Sequence, residues 1–323
     1  MSSRERDVAD FLAGCGWGSA CQEPFSADFS SRRYVRLKNR AGDRAVLMIA
    51  EEDQKTREFV AVAKVLFKLD ISAPEIYAAE PGKGLVLMED FGDANFGRMM
   101  DDGADPLPLY KRGIDVLAHL HKSFNAEKCG GSISFLPTFD AELFARQAGL
   151  FLDGYIPYLK GREATEGERQ SFYDVWRLVL VCVKDMPQTL LLRDYMPDNL
   201  MSLSGRNGWR DTGVLDFQDA GFGPAPYDIA SICEHVRRDR KNELLDDMID
   251  YYLQINPIMK AGELKRACCI LSAQRHTRIL GILAKRPEKR GLLPRTLGYM
   301  NYLLRNDALC PVRDWFQKNG IVV

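Results

Sequence analysis

The feature that most constrains this chain is a change of sequence pattern near residue 92. Before it, short apolar runs alternate with helical stripes, and after it nearly all apolar residues recur at helical spacing. Such a change favours an α+β protein, in which strands and helices occupy different parts of the chain. We therefore predict a small strand-rich lobe over residues 1–92 and a large, mostly helical lobe over residues 93–323.

The first 92 residues predict the order helix, strand pair, helix, strand pair. Val8, Phe11 and Leu12 fall at helical spacing and predict a short first helix. Two antiparallel strands joined by the turn RAGDR follow, then a helix that ends near Leu69 and a second strand pair joined by PGKG. The predicted strands cover residues 31–39, 45–50, 75–80 and 85–90.

The remaining chain predicts helices interrupted by one region of short strands. Between about 188 and 216, three apolar runs are separated by a polar loop and the turn SGRNG. Loop side chains supported by buried strands are a common arrangement at functional sites. The predicted helices cover about 107–124, 140–153, 166–186, 226–237, 241–254, 262–284 and 294–306.

Composition excludes several classes of protein. The 44 Lys and Arg residues against 45 Asp and Glu residues give no general attraction to nucleic acid or to an anionic membrane surface. No apolar run approaches the roughly 18 residues of a membrane-spanning helix, and the charged N-terminus is unlike a secretory signal. The eight cysteines form no C-x-x-C pair. We expect a cytoplasmic monomer with reduced thiols, without nucleic-acid or membrane partners.

Three polar side chains lie where the short apolar runs end. Asp194 follows the first run, Asn199 comes next along the loop, and Asp216 closes the third run. Phosphoryl transfer needs such a set, because a carboxylate must orient the attacking hydroxyl while oxygen ligands hold Mg²⁺ against nucleotide phosphates. A D-x-x-x-x-N spacing alone is also typical of an Asx-capped turn. Its combination with a strand-rich lobe and an apolar run ending in Asp-Phe favours a kinase.

The segments LLRDYMPDNLM and GVLDFQDAGFGPAPYDIASI resemble the aminoglycoside phosphotransferase and choline kinase group of small-molecule kinases. The resemblance runs nearly end to end. SADFSSRRYVRL and QRHTRILGILAKR make it closest to the anomeric kinases of bacterial cell-wall recycling, which phosphorylate N-acetylmuramate and N-acetylglucosamine. The resemblance implies a bilobal protein-kinase-like fold, a small-molecule substrate that is an amino sugar, and ATP and Mg²⁺ as cofactors.

The resemblance also implies roles for individual residues. It makes Asp194 the catalytic base, Asn199 and Asp216 the Mg²⁺ ligands, and Asp228 a structural residue. Nucleotide contacts would come from a strand-strand turn, a strand position and the hinge between the lobes. These predicted nucleotide-binding residues are Ser30, Ser31, Arg32, Arg33, Met48, Met88, Glu89 and Phe91.

Three positions depart from the group's pattern. There is no G-x-G-x-x-G loop, so serine hydroxyls, backbone N–H groups and arginines would contact the phosphates. Met48 stands where a lysine normally neutralises the phosphates, and we predict that Arg32 or Arg33 replaces it. Leu192 stands where a histidine usually braces the loop, so that Leu192 can brace it only by packing.

Several other residues have two interpretations each. Asp219 and Gln218 follow Asp216, where they could reach a second metal or a sugar hydroxyl, or simply cap a turn. We predict that His119, His121 and His276 either pack or face solvent. The alternative for the last of these is a polar wall that faces the substrate, formed with Gln274, Arg275 and Arg278.

The sequence therefore predicts an ATP- and Mg²⁺-dependent small-molecule kinase whose acceptor is the anomeric hydroxyl of an N-acetylated amino sugar. One alternative is a kinase for another small alcohol, such as choline or an aminoglycoside. A second is a pseudokinase that keeps only the fold, which Met48 and Leu192 favour and the intact Asp-Asn-Asp set disfavours.

Overall fold

The computed structural model describes residues 2–25, 32–51, 55–239 and 243–322, and its first part contains a five-stranded antiparallel sheet. The strand order in this sheet is β1-β2-β3-β5-β4. The predicted order of helix, strand pair, helix, strand pair is confirmed, and β1 is an additional strand. The elements are α1 (Ser3–Gly14), β1 (Cys21–Phe25), β2 (Arg33–Lys38), β3 (Arg44–Ile49), α2 (Thr56–Lys68), β4 (Ile76–Glu80) and β5 (Leu85–Met88).

One face of this sheet packs against α1. Phe11 and Leu12 of α1 are buried in a cluster with side chains from alternate positions of three strands. Alternation arises because successive side chains of a strand point to opposite faces. The strand residues of this cluster are Val35, Leu37, Ala45, Leu47, Ile49, Leu85 and Leu87.

The rest of the chain is mostly helical, as predicted. Two short strand pairs interrupt the helices, β6 (Gln188–Leu191) with β9 (Gly221–Pro224), and β7 (Leu200–Ser202) with β8 (Thr212–Val214). Within the described residues, no helix has both the length and the apolar composition needed to cross a bilayer. The helices are α3 (Phe96–Asp101), α4 (Pro106–Ser123), α5 (Ala126–Cys129), α6 (Ala141–Ala148), α7 (Leu150–Lys160), α8 (Glu166–Leu180), α9 (Pro226–Cys233), α10 (Leu244–Ile255), α11 (Ala261–Ala284), α12 (Leu293–Leu303) and α13 (Cys310–Lys318).

The single helix predicted over 140–153 was wrong, because two helices meet there at Gly149. A Cβ atom at this position would meet the Tyr173 hydroxyl of α8 and lie 2.9 Å from the Arg146 carbonyl oxygen, so glycine suits this close approach. The second helix, α7, then continues to Lys160.

The chain forms two compact units. The first comprises Met1–Val116, Ser123–Leu136 and Pro197–Ala220, and it contains the five-stranded sheet and the β7–β8 pair. The second comprises Leu117–Lys122, Pro137–Met196 and Gly221–Val323, and it contains the β6–β9 pair and most of the helices. The lobe boundary at residues 92 and 93 stays a prediction.

The second unit has its own aromatic core. The Phe151 ring stacks on the rings of Phe172 and Phe316, with centroids 5.8 and 5.2 Å apart. Trp176 is fully buried in the same cluster, to which α11 contributes Ile270 and Leu280. Burial of a large aromatic side chain contributes roughly 2 to 3 kcal/mol, so this cluster is a major source of the stability of the unit.

Candidate active site

Asp194 lies in a loop of the second unit, directly after a backbone segment that α9 fixes in place. The N–H groups of Leu192 and Arg193 donate to Asp228 Oδ2 and Oδ1 at 2.6 and 2.9 Å. Arg193 has a left-handed backbone with φ of 71°, and its carbonyl accepts a hydrogen bond from Ser231 Oγ at 3.2 Å. Because Asp228 and Ser231 both lie on α9, this helix orients the chain that leads into Asp194.

The position of the usual histidine is occupied by a buried side chain. Leu192 is 1% exposed, and its side chain therefore packs, as its apolar character predicts. The polar part of the brace comes from its backbone N–H, which bonds to Asp228. The loop is thus held by hydrogen bonds even though the residue itself has no polar side chain.

Asp228 is fully buried, and burial raises the pKa of its carboxyl group to about 6. The two backbone N–H donors and the charge of Arg193 act in the opposite direction, because each favours the ionised form. Burial therefore disfavours the ionised form of Asp228, while both of its carboxyl oxygens accept hydrogen bonds from the backbone. This environment supports the structural role predicted for it.

The stability contributed by Asp228 should decrease as the pH rises. Its folded pKa of about 6 exceeds the ordinary value of 3.8, so the folded state binds more protons between these pH values. The free energy of unfolding of the wild type minus that of Asp228→Asn should therefore fall by about 2 kcal/mol between pH 4 and pH 7. Urea titrations at several pH values measure this difference, and a difference that rises with pH would contradict the assignment.

In the first unit, Asn199 and Asp216 lie side by side. Asn199 is the last residue of a short turn, and its carbonyl accepts a hydrogen bond from the Leu215 N–H at 2.9 Å. From Leu200 onward, β7 pairs with β8. This pairing brings Asn199 Nδ2 to 3.4 Å from Asp216 Oδ2. Asp216 has a left-handed backbone, φ 61°, a conformation that Asp and Asn adopt more readily than most residues.

The chemistry of this pair fits Mg²⁺. Carboxylate and amide oxygens are the ligands that Mg²⁺ prefers, and rotation of the Asn199 amide would present its oxygen beside the Asp216 carboxylate. Among the described residues, no group of three His, Cys, Asp or Glu side chains is arranged to hold a metal ion. Two protein ligands suffice when phosphate oxygens and water complete the shell, as is usual for Mg²⁺ in nucleotide sites.

The residues that follow Asp216 belong to the same unit. Gln218 Nε2 donates to Asp216 Oδ1 at 2.8 Å, so Gln218 orients the carboxylate. Asp219 forms an ion pair with Lys55, the residue before α2. The Lys55 contact was not predictable from the sequence, since 164 residues separate the two side chains.

Arg32 is the predicted phosphate-contacting residue that the structure links, through Phe59, to Phe217, the neighbour of Asp216 in the chain. Its guanidinium carbon is 6.0 Å from the centroid of the Phe59 ring, and Phe59 stacks on Phe217 with centroids 4.8 Å apart. Arg32 is 9% exposed, whereas Arg33 is exposed at the start of β2. Ser30 and Ser31 lie outside the described residues. Met48 is fully buried within β3.

The predicted hinge residues lie at the end of β5 and directly after it. Met88 is its last residue and is 5% exposed. Glu89 pairs with Arg206, and the Arg206 guanidinium lies 5.4 Å from the centre of the Phe91 ring. A nucleotide base bound at this segment would therefore meet the partly buried Phe91 ring and the Glu89–Arg206 ion pair.

The intervening hinge residue, Asp90, is the most strongly anchored of the segment. Its side chain is 3% exposed and forms ion pairs with Arg36 and Arg44 at 2.8 and 3.1 Å. Arg36 also pairs with Asp93 at 3.0 Å. This cluster was not predictable from the sequence, because charged residues on β2 and β3 give no local signal of a partner beyond β5.

The packing roles predicted for two histidines are confirmed. His121 lies edge-on to Tyr252, and burial lowers its pKa to about 3, so it is neutral at physiological pH. His276 is fully buried and stacks on Tyr299 with centroids 4.6 Å apart. His119 is partly buried on α4.

Two of the residues beside His276 face the interior. Gln274 donates to the Phe144 carbonyl at 2.8 Å, and Arg275 donates to the Glu234 carbonyl at 2.9 Å. Arg278 differs from both, because it is partly exposed. Of these neighbours of His276, Arg278 is therefore the one that a ligand could reach.

Comparison with known proteins places the chain in a family. Residues 22–264 match the model of the phosphotransferase enzyme family, APH. The chain belongs to this family. As an APH phosphotransferase it is a small-molecule kinase, and the predicted resemblance is confirmed.

Relatives agree with this membership. The N-acetylmuramate/N-acetylglucosamine kinase of Pseudomonas putida is 30% identical over 318 residues, which cover 93% of this chain and 89% of the relative. Plasmodium vivax ethanolamine kinase superposes with a TM-score of 0.64 at 14% identity, covering 88% and 82% of the two chains. The streptomycin–ATP complex of the aminoglycoside phosphotransferase APH(2")-IIa has a TM-score of 0.62 at 14% identity, covering 96% and 99%. The protein-kinase-like α+β fold predicted for this APH phosphotransferase is thereby confirmed.

Proposed function

We propose that this phosphotransferase uses ATP and Mg²⁺ to phosphorylate the anomeric hydroxyl of an N-acetylated amino sugar. The observation that carries the proposal is the adjacent amide and carboxylate of Asn199 and Asp216, brought together by the β7–β8 pairing. Phosphoryl transfer depends mainly on positioning and charge neutralisation, and a paired amide and carboxylate supply the protein part of such a metal site.

Asp194 is the proposed base. Its carboxylate accepts the hydrogen bond of the acceptor hydroxyl and takes the proton as the acceptor oxygen bonds to the γ-phosphorus and the bond to ADP breaks. An anomeric hydroxyl is more acidic than an ordinary alcohol, so a carboxylate is a sufficient base. The hydrogen bonds from Leu192 and Arg193 to Asp228 keep the loop before Asp194 in one conformation, which favours a constant distance to the acceptor.

Asn199 and Asp216 are the proposed metal ligands. The hydrogen bond from Gln218 Nε2 to Asp216 Oδ1 orients the carboxylate. When bound, Mg²⁺ neutralises charge on the phosphate oxygens. Arg32 is the proposed replacement for the phosphate-site lysine, because it is the more buried of the two candidate arginines. Its guanidinium also lies over the Phe59 ring, which stacks on Phe217. Met88, Glu89 and Phe91 are the proposed contacts for adenine.

The amino-sugar acceptor is supported by the names of the curated relatives. The relative from Pseudomonas putida is an N-acetylmuramate/N-acetylglucosamine kinase, and it aligns over nearly all of this chain. Fold similarity alone would not select this acceptor, because the structural neighbours include kinases for ethanolamine and aminoglycosides.

ATP consumption by the purified protein against a panel of acceptors tests the proposal. The panel is N-acetylmuramate, N-acetylglucosamine, glucosamine, choline, kanamycin and no acceptor. We expect turnover only with the N-acetylated sugars and a product whose phosphate is released by mild acid, as for a glycosyl phosphate. Turnover with choline or kanamycin alone would reject the sugar. Silence throughout, with no Mg²⁺-dependent ATP binding, would instead support a pseudokinase.

Arg32→Gln should raise the KM for ATP by about 10- to 100-fold, the effect expected from the loss of a charge-assisted contact to phosphate. Arg33→Gln is the matched control, since Arg33 is exposed and adjacent, and its KM should stay within about twofold of the wild-type value. Circular dichroism of both variants checks that the buried Arg32 position tolerates glutamine. The reverse order of effects would assign the role to Arg33.

A further inference from the structure

The hairpin formed by β7 and β8 is anchored to two other segments of the first unit. The Ser72 hydroxyl donates to the Arg210 carbonyl at 2.7 Å, and the Ser72 carbonyl accepts from the Val214 N–H at 2.7 Å. Arg206, in the turn of the hairpin, forms an ion pair with Glu89, the first residue after β5. The hairpin is therefore held both by the segment before β4 and by the segment after β5.

Glu89 is fixed through its backbone and through both of its carboxylate oxygens. Its N–H donates to the Glu75 carbonyl at 2.9 Å, Oε2 accepts from the Glu75 N–H at 3.3 Å, and Oε1 accepts from Arg206 Nη2. The side chains of Arg206 and Glu89 are 33% and 23% exposed, whereas those of the nearby pair Arg210 and Asp70 are 52% and 56% exposed. Because water screens exposed ion pairs, the Arg206–Glu89 pair is the stronger of the two.

Arg206 also packs on the ring of Phe91. Its guanidinium carbon is 5.4 Å from the ring centre, within the range of a cation–π interaction. The ring approaches β8 so closely that a Cβ atom at Gly213 would lie 2.6 Å from Phe91 Cε2, and glycine suits this approach. The Phe91 ring therefore has contacts to both β8 and the turn of the same hairpin.

The hairpin also carries the proposed metal ligands. Asn199 directly precedes β7, and Asp216 is the second residue after β8. Arg206 lies in the turn, at the other end of the hairpin, where it contacts the proposed adenine-binding residues Glu89 and Phe91. This order matches a bound nucleotide, whose phosphates and base lie at its two ends. Residues that support a binding group in this way fix its position before the ligand arrives.

We propose that Arg206 is a positioning residue for the nucleotide base, which holds Glu89 and Phe91 in the arrangement that selects adenine. This inference rests on the proposed function, because it takes ATP as the phosphate donor. Side chains that are already ordered lose little entropy when the ligand binds. Loss of Arg206 should therefore weaken the binding of the selected base more than that of a different base.

The test compares the dissociation constants of Mg²⁺-ATP and Mg²⁺-GTP, measured by calorimetry without acceptor, in the wild type and in Arg206→Gln. The wild type should bind ATP at least about 10-fold more tightly than GTP. Arg206→Gln should raise the dissociation constant of ATP by about 3- to 10-fold, the loss expected for one partly exposed hydrogen-bonded ion pair. The dissociation constant of GTP should change by less than about twofold, so the preference for ATP decreases.

Three further variants separate this role from a general effect on the fold. Arg210→Gln is the matched control, because Arg210 lies in the same turn and pairs with Asp70 at an exposed position. Both of its dissociation constants should stay within about twofold of the wild-type values. Arg206→Lys should keep most of the preference, because lysine retains the charge opposite Glu89. Arg206→Gln combined with Glu89→Gln should lose less than the sum of the two single losses, since both changes break the same ion pair.

Equal losses for ATP and GTP in Arg206→Gln would overturn the inference and indicate a structural role. An unchanged affinity for ATP in this variant would overturn it as well, and so would a wild type that binds the two nucleotides equally. The proposed function is judged separately by turnover of the wild type with an N-acetylated sugar, and that turnover would leave it intact in each of these cases. A wild type that binds neither nucleotide would reject both.

Discussion

Asp194→Asn should lower kcat by about 10²- to 10⁴-fold, the usual range for loss of a general base, while the affinity for Mg²⁺-ATP changes by less than about threefold. The substitution removes the charge and keeps the size of the side chain. The backbone before it is held by Asp228 and Ser231, so the loop should keep its conformation. Steady-state turnover and ATP binding by calorimetry measure the two quantities separately.

Asp185→Asn is the control for this experiment. Asp185 is exposed in the same unit, shortly before β6, and it has no role in the proposed mechanism. Its activity should equal that of the wild type. Retention of more than about a tenth of wild-type kcat in Asp194→Asn would remove Asp194 from proton transfer.

Asp216→Asn should lower kcat by at least about 100-fold and raise the Mg²⁺ concentration needed for half-maximal ATP binding. The loss follows because the carboxylate is the only charged member of the Asn199–Asp216 pair. Asparagine is the appropriate replacement, since it tolerates the left-handed backbone of residue 216 better than alanine does. Fluorescent-nucleotide binding over a Mg²⁺ titration measures the shift without requiring turnover.

Two further variants test whether the effect on Mg²⁺ dependence is specific to Asp216. Asp102→Asn changes an exposed carboxylate of the same unit and should leave the Mg²⁺ dependence unaltered. Asp219→Asn tests the other carboxylate after β8, whose partner in the structure is Lys55. If Asp219→Asn shifts the Mg²⁺ dependence and Asp216→Asn does not, the metal ligand is Asp219.

Elements with strong local periodicity were predictable. The apolar stripe of α2 and the alternation in β2 and β3 depend on neighbouring residues, so their positions follow from short segments. Two strands were missed because their sequences oppose strand formation. β1 reads CQEPF, and its proline is tolerated because β1 is an edge strand paired only with β2.

The second missed strand, β9, reads GFGP. Packing requires glycine at its first position, because a Cβ atom at Gly221 would lie 2.5 Å from the backbone oxygen of Pro137. The strand exists because β6 supplies its hydrogen-bonding partner. The paired residues are 30 positions apart at Leu191 and Gly221 and 36 apart at Gln188 and Pro224. No local sequence pattern predicts β9, because its formation depends on a partner strand that is distant in the sequence.

The sequence by itself determined the class of fold, the order of most elements and the residue types of the proposed chemistry, because periodicity and the Asp-Asn-Asp spacing are local properties of the chain. Only the tertiary structure decided which side chains meet. It placed Asn199 beside Asp216, buried Asp228 beneath the loop and distinguished Arg32 from Arg33. Burial and long-range pairing set these outcomes, since both depend on faces contributed by segments far apart in the sequence.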